Sequence, residues 1–187
     1  ITPSSVTGAI ATVKAASLTW TTSALTSKTV VPGATNVVVY KASLEAGDSS
    51  DITLTSITID ADTGTSFGDN QISALELYLD GKLLASKSNN ITLDDADTAS
   101  IAFTSLNTTN RVVPAGTSVV LELIADFASS FPATGVFDLE IDDAAADIVA
   151  KDKDNNAVVE SVNQQVVSRQ VTLEAVGSLK VELLTTD

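Results

Sequence analysis

Apolar and polar positions alternate with a period of two in several parts of the chain. From Ile72 to Asp80, residues Leu75, Leu77 and Leu79 fall on one face of an extended chain, and Glu76, Tyr78 and Asp80 on the other. From Val136 to Asp142 the apolar face is Phe137, Leu139 and Ile141; near the end, Leu179, Val181 and Leu183 alternate with Lys180 and Glu182. Successive side chains of a strand point to opposite faces, so this pattern predicts half-buried antiparallel strands. Two longer runs, Val37 to Leu44 and Val119 to Phe127, are apolar on both faces. They predict central strands covered on both sides.

Turn residues separate these runs. Asp80-Gly81, set between Leu79 and Lys82-Leu83-Leu84, predicts a tight hairpin, because both central residues of a type I′ turn need positive φ. Pro32-Gly33, Pro114-Ala115-Gly116 and Ala46-Gly47-Asp48 mark further turns. Strand-like segments recur roughly every 8–15 residues, the spacing of a sandwich or barrel. The helix candidates are short: Asp142 to Val149, with an Asp-rich start and an alanine run, and one turn at Ala125 to Ser130. Neither has the length of a stable amphipathic helix. The reading is an all-β protein, an antiparallel two-sheet sandwich of Ig-like or jelly-roll-like type, with at most one or two short helices. Residues 1–16 form an N-terminal extended segment, a donor strand or linker. Residues 17–187 form a single β-sandwich domain.

The chain echoes itself twice. Val30-Val-Pro-Gly-Ala-Thr-Asn-Val-Val38 resembles Val112-Val-Pro-Ala-Gly-Thr-Ser-Val-Val120. Either one strand-entry device is reused or an ancient duplication is preserved. Ser17-Leu-Thr-Trp-Thr-Thr22 resembles Ser178-Leu-Lys-Val-Glu-Leu183. Either the last strand, 177–184, begins a following repeat, or it closes the sheet of this domain.

Composition narrows the chemistry. The 187 residues include no His, no Cys and no Met, and aromatics make up only 4%. The core must therefore be aliphatic. Without imidazole or thiolate, the commonest routes to acid–base, nucleophilic and transition-metal chemistry are closed, and the expectation is that the protein is not an enzyme. The formal charge of −14 repels nucleic acid and anionic membranes. No stretch approaches the roughly 18 uninterrupted apolar residues of a membrane span. A complete gene product begins with Met, so the chain is expected to be a mature protein whose signal peptide is gone or a fragment of a larger one.

The stretches Val31 to Leu44, Asp51 to Ile59, Ile72 to Leu84 and Val113 to Asp126 follow one another in an order that resembles the β-sandwich modules of bacterial and archaeal cell-surface proteins. The resemblance covers most of residues 17–184 and leaves Ile1 to Ala16 unmatched. It implies a surface-layer, filament or adhesin building block, extracellular or on the cell surface, with no catalytic residues to carry over.

Acidic clusters are the leading candidate chemistry. Carboxylates beside turn-forming residues bind Ca²⁺, which takes six to eight oxygen ligands. The two leading sets are Asp60, Asp62 and Asp69, and Asp94, Asp95 and Asp97; the competing reading is solvated turn residues that discourage edge-to-edge aggregation. Asp152-Lys-Asp-Asn-Asn156 opens like an EF-hand loop but places Ala157 where Gly is needed and Glu160 too early. No cofactor other than Ca²⁺ is expected. A carboxylate pair for glycoside hydrolysis lacks the usual aromatic platforms, and among so many serines none stands out as a nucleophile. Trp20 reads as a packing anchor, against a sugar-stacking or subunit-contact role; Tyr40 and Tyr78 read as half-exposed strand residues. Asn90 and Asn107 sit in glycosylation sequons.

Two functional classes remain. The first is a non-enzymatic structural subunit of a surface layer or filament, joined to copies of itself or to neighbouring repeats by sheet-edge contacts and strand donation. Its contact residues would be Val6, Ile10, Val13 and Leu18 in one donor segment and Leu179, Val181 and Leu183 in the other. The alternative is an adhesin or carbohydrate-binding module that meets a glycan through loops with Ca²⁺.

Overall fold

The computed structural model describes residues 14–63, 71–88, 91, 99–130, 135–141, 147–164 and 171–174. Thirteen strands lie among them: β1 (Ser17–Thr22), β2 (Lys28–Val30), β3 (Val37–Ala46), β4 (Ile52–Thr63), β5 (Ile72–Leu79), β6 (Lys82–Ser88), β7 (Ala99–Phe103), β8 (Val112–Val113), β9 (Ser118–Phe127), β10 (Gly135–Glu140), β11 (Ile148–Asp152), β12 (Val159–Gln164) and β13 (Val171–Leu173). They form a two-sheet sandwich. The first sheet has the order β12-β1-β3-β9-β5-β6. The second has the order β11-β4-β10-β13-β2, with β7 and β8 also paired to β4. Strand β4 is long enough to take β8 and β11 near its start and β7 and β10 near its end. Pairing is antiparallel except for β1 with β12 and β2 with β13, which run parallel.

The two-residue period of the sequence becomes the inside and outside of the sandwich. Along β9, Leu121, Leu123, Ala125 and Phe127 are buried, while Val120, Glu122, Ile124 and Asp126 face outward. The expectation that β3 and β9 are covered on both faces is thereby corrected. Both are central within their sheet, but only one face of each is packed. The outward apolar residues Val38, Val120 and Ile124 are interleaved with Lys41, Ser43, Glu122 and Asp126, which hold that face towards water. Strand β3 breaks the alternation once: a bulge between Val38 and Tyr40 turns both Val39 and Tyr40 inward.

Of the two helix candidates, Ala125 to Ser130 is strand up to Phe127, and Asp142 to Val149 keeps a helical residue at Asp147 before turning to strand. Ala125–Phe127 completes β9, and Ile148-Val149 opens β11; residues 142–146 lie outside the described residues. The Asp80-Gly81 turn is as expected, with φ of 49° and 72°.

The strand ends define two poles. At the first pole, the end of β3, the start of β9 and the β5–β6 turn lie together: Glu45 is opposite Ser118, and the Asp80 amide donates to the Val120 carbonyl. At the second pole, Val37 is opposite Ala125, Ile72 is opposite Phe127, and Phe137 is opposite Thr63. The echoed segments do the same job at opposite poles. Both β2–β3 and β8–β9 carry the chain from the second sheet to the first through a turn with a left-handed glycine, Gly33 at φ 76° and Gly116 at φ 64°. Because β3 and β9 are antiparallel neighbours, a local two-fold relates the two crossovers.

The core between the sheets is aliphatic, with Leu18, Leu44, Leu54, Ile57, Ile59, Leu75 and Leu77 fully buried. Each such side chain contributes on the order of 1.5–3 kcal/mol on burial, which removes the need for disulfides in a chain of this length.

Candidate interaction surface

Among the described residues, one large face of the sandwich carries no packed element. The outer face of the first sheet runs across β1, β3, β9, β5 and β6, and among the described residues no element packs on it. Its register lines up side chains in rows. Lys41 on β3 is opposite Glu122 on β9, which is opposite Tyr78 on β5, which is opposite Leu83 on β6. Beside this row lie Ser43 with Val120, and Val38 with Ile124 and Glu76. The face is therefore part apolar and part charged, with Leu83 and Val120 among the exposed large apolar residues.

Its polar groups are tied to one another. Lys41 Nζ and Glu122 Oε1 form an ion pair at 2.7 Å. The Tyr78 hydroxyl donates to Glu76 Oε2 at 2.7 Å. That hydrogen bond to a carboxylate, helped by desolvation and by the charges of Glu76 and Asp126, raises the phenol above the ordinary tyrosine range. Held in place, these groups lose less rotamer freedom when a partner covers them.

The flank formed by β6 and β7 is the second feature. Strand β6 pairs only with β5 among the described residues. Its first half is closed by the 107–110 turn: the Asn107 amide donates to the Leu84 carbonyl and Asn110 Nδ2 to the Leu83 carbonyl. Its second half, Ala85 to Ser88, borders a shallow cavity of about 230 Å³ shared with Ala102 and Phe103, where Lys87 Nζ lies 5.8 Å above the Phe103 ring. Lys82 and Lys87 are the charged residues by which an edge strand limits indiscriminate pairing.

The residues singled out from the sequence are scattered by the fold. Asp60 lies on β4, its Oδ1 accepting from Ser100 Oγ at 2.7 Å. The register sets Asp60 opposite Glu140 and Asp62 opposite Asp138, so four acidic positions meet across β4 and β10. Sequence reading missed Asp138 and Glu140 as neighbours of this pair because strand pairing brings them together from 76 or more positions away. Among the described residues no group of three or more His, Cys, Asp or Glu has the arrangement of a metal site. Asp69, Asp94, Asp95, Asp97 and Asn90 lie outside the described residues, as do Val6, Ile10, Val13, Leu179, Val181 and Leu183. Leu18 is a correction: it is fully buried in β1, between β12 and β3, and has no surface to offer a neighbour. Asn107 is exposed in a turn where its Oδ1 accepts from the Thr109 amide.

Trp20 is a core anchor at 1% exposure, its Nε1 donating to Tyr40 Oη. Tyr40, expected half exposed, is fully buried because the β3 bulge turns it inward. One spacing escaped the sequence reading: Gly64-Thr-Ser-Phe-Gly68 matches Gly-x-Ser-x-Gly. A nucleophile elbow joins a strand to a helix, whereas this segment joins β4 to β5, two strands, in a chain with no His.

The Asp152–Asn156 turn at the first pole shows what replaces a cation in the EF-hand-like opening. Asp152 Oδ1 accepts from the amides of Asp154 and Asn156, and Oδ2 accepts from Asn156 Nδ2. Hydrogen bonds from the Asn156 side chain, then from the Asn156 amide, hold the carboxyl below the usual carboxylate range. Beside this turn lies a cavity of about 520 Å³ walled by Lys14–Ala16, Ser49 and Ser50.

No family model matches the chain, and no curated protein matches its sequence. Solved structures with a similar strand arrangement include the seventh ScaB type I cohesin of Pseudobacteroides cellulosolvens, at 13% identity over 89% of this chain and 97% of that one, with a TM-score of 0.34. A chain of the Coh-OlpA–Doc918 complex, a type I cohesin–dockerin complex from Clostridium thermocellum, is 10% identical over 84% of this chain and 99% of that one, also at 0.34. AvmM, named as a catalyst of macrocyclization in alchivemycin A biosynthesis, is 11% identical over 81% and 87%, at 0.35. At these TM-scores the likeness gives this chain neither a partner nor an activity.

Proposed function

We propose that this protein is a non-enzymatic structural module of an extracellular assembly, a surface layer or filament, and that its work is contact with further copies of itself. The observation that carries this reading is the outer face of the first sheet, on which no element packs among the described residues. A sheet face with Val120, Ile124, Tyr78 and Leu83 set among internally paired charges suits a broad protein partner better than a small molecule, which needs a concave site. The half-open β6 edge adds a place for main-chain pairing. The strongly acidic chain keeps unassembled copies apart until such specific contacts form.

The test is self-association of the pure chain, followed by sedimentation velocity and electron microscopy over a concentration series, with and without millimolar Ca²⁺. Ordered sheets or fibres are expected, and Val120→Asp on the outer face is expected to abolish them without altering the circular dichroism spectrum. A chain that stays monomeric throughout, or a Val120→Asp variant that assembles as before, overturns the reading. Dependence of assembly on Ca²⁺ would assign the cation to the contact.

A further inference from the structure

The described residues begin at one pole and end at the other. Strand β1 starts at the first pole, where Leu18 is opposite Ala46 and the Gly47 amide donates to the Ser17 carbonyl at 2.9 Å. Strand β13 ends at the second pole, where Leu173 is opposite Gly135 and the Glu174 amide donates to the Val30 carbonyl at 3.0 Å. A domain whose ends meet hangs from a chain as a side branch. One whose ends lie at opposite poles is threaded by it.

The sequence on the two sides of this passage is similar, with Thr, Ala, Ser and Leu at matching positions and a connection one residue longer on the exit side. Ala11-Thr-Val-Lys-Ala15, followed by Ala16 and then Ser17-Leu18, parallels Val171-Thr-Leu-Glu-Ala175, followed by Val176-Gly177 and then Ser178-Leu179. In β13 the apolar residues of this pattern, Val171 and Leu173, are fully buried and Thr172 is half-buried between them. On the exit side the pattern thus begins as the last described strand, and on the entry side it runs into the first. It occurs at both ends of the described fold.

We infer that the chain is one register of a tandem array in which the first pole of each copy is the docking surface for the second pole of the copy before it. This rests on the structural reading above and names the partner: another copy of this fold on the same polypeptide. Ser178 to Leu183 would then open the following copy rather than close this domain. The connection is Glu174–Gly177, so Leu173 and Ser178 are five Cα steps apart and at most about 17–18 Å from each other. On the exit side the Glu174 amide is held by the Val30 carbonyl, and Ser17, the counterpart of Ser178 in the pattern, is held by the Gly47 amide. Ser49 Oγ also donates to the Ala15 carbonyl at 3.1 Å on the entry side. Two poles tied so closely must abut. The first pole presents the cavity of about 520 Å³ between Lys14–Ala16 and the Asp152–Asn156 turn. The second pole presents the Val31-Pro32-Gly33 turn directly beside the exit, with Val31 40% exposed. The array is a stiff rod.

Two measurements test this. Truncation after Glu174 is expected to leave the melting temperature within about 2 °C of the full chain, because the removed residues belong to the next copy; a drop above about 10 °C would mean that they complete this domain and would overturn the inference. Second, a polypeptide running from residue 1 to 177 and continuing with residues 17 to 187 joins two copies through the native connection. The chain has no Cys, so Glu45→Cys in both copies places two spin labels uniquely. Double electron–electron resonance is expected to give one narrow distance, broadened when ten Gly and Ser residues are inserted after Gly177. A native connection as broad as the lengthened one overturns the abutting poles. Both readouts are intramolecular, so failure of separate chains to assemble would sink the proposed function and leave them unchanged.

Discussion

Trp20 Nε1 donates to Tyr40 Oη at 2.9 Å across the pair β1–β3, with ring centroids 6.3 Å apart. Thr22 Oγ1 lies 3.1 Å from the same phenolic oxygen. The single indole of the chain thus finds its acceptor inside an aliphatic core. Tyr40→Phe leaves the indole N–H buried without that acceptor and is expected to cost about 1–3 kcal/mol. Trp20→Phe added to Tyr40→Phe should cost less than the two single losses summed, since they share one bond. Urea unfolding of the four proteins checks this. Strict additivity would show that the bond contributes nothing.

Gly33 and Gly116 make equivalent crossovers but have different surroundings. A Cβ on Gly33 would meet nothing within 4 Å, whereas one on Gly116 would lie 2.9 Å from Asp48 Oδ1. Both have positive φ. Gly33→Ala should therefore cost the left-handed backbone alone, about 1–2 kcal/mol, and Gly116→Ala more. Asp48→Ala is expected to recover the difference between them. Denaturant midpoints of the three variants decide the matter; equal losses at both glycines would discount the contact.

Local signals in the sequence carried the strand assignment well and the sheet pairing poorly. The Asp80-Gly81 hairpin and the inward face of β5 depend on neighbouring residues, and were legible for that reason. The parallel pairs β1–β12 and β2–β13 join segments more than 130 positions apart and leave no local trace. The inward turn of Tyr40 comes from a bulge, which no two-residue period announces. For the candidate surface, the apolar residues Val120 and Ile124 were read as core. Only the register shows that they share a row with Ser43 and with Val38 and Glu76, outside the sandwich.

The Tyr78–Glu76 bond makes an alkaline signature. Tyr78 holds its proton more tightly when folded than its ordinary value of 10.0. Its contribution to stability is therefore complete below the ordinary tyrosine range and is lost as pH rises through the folded value. Ultraviolet titration of tyrosinate should show a late phase that Tyr78→Phe removes. Glu76→Gln, which replaces the carboxylate acceptor by a weaker, neutral amide oxygen and removes its charge, should move that phase down towards 10.0. A phase unmoved by Glu76→Gln would assign it to another group.

Asp152 gives the opposite sign. Its carboxyl is held below the ordinary value of 3.8 by Asn156 first and by backbone amides after it. The stability it contributes is present above the ordinary carboxylate range and lost as pH falls through the folded value. Asp152→Ala should melt below the parent at about pH 6, and the gap should narrow as the pH falls below the ordinary carboxylate range and the parent's carboxyl takes up its proton. Asn156→Ala should show a smaller gap with the same pH dependence, because its amide still reaches Asp152 Oδ1. A gap that persists in acid would mean that the charge is immaterial to the turn.

Gln71, at the second pole, is 1% exposed, and neither its Nε2 nor its Oε1 has a partner among the described residues. Its backbone is well used: the carbonyl accepts from the Ala128 amide at 2.9 Å, next to the bond from the Gly33 amide to the Ala128 carbonyl. The side chain therefore carries a desolvation cost, and the main chain carries the structure. An unpaired buried polar group costs about 1–3 kcal/mol, and Leu has similar volume with nothing to satisfy. Gln71→Leu is expected to stabilise the protein by about 1–2 kcal/mol, read as a higher urea midpoint at unchanged slope. Gln71→Ala, which removes the same amide but opens a cavity, should gain less than Gln71→Leu or lose stability outright. A lower midpoint for the leucine variant would show that the amide is engaged at this pole after all.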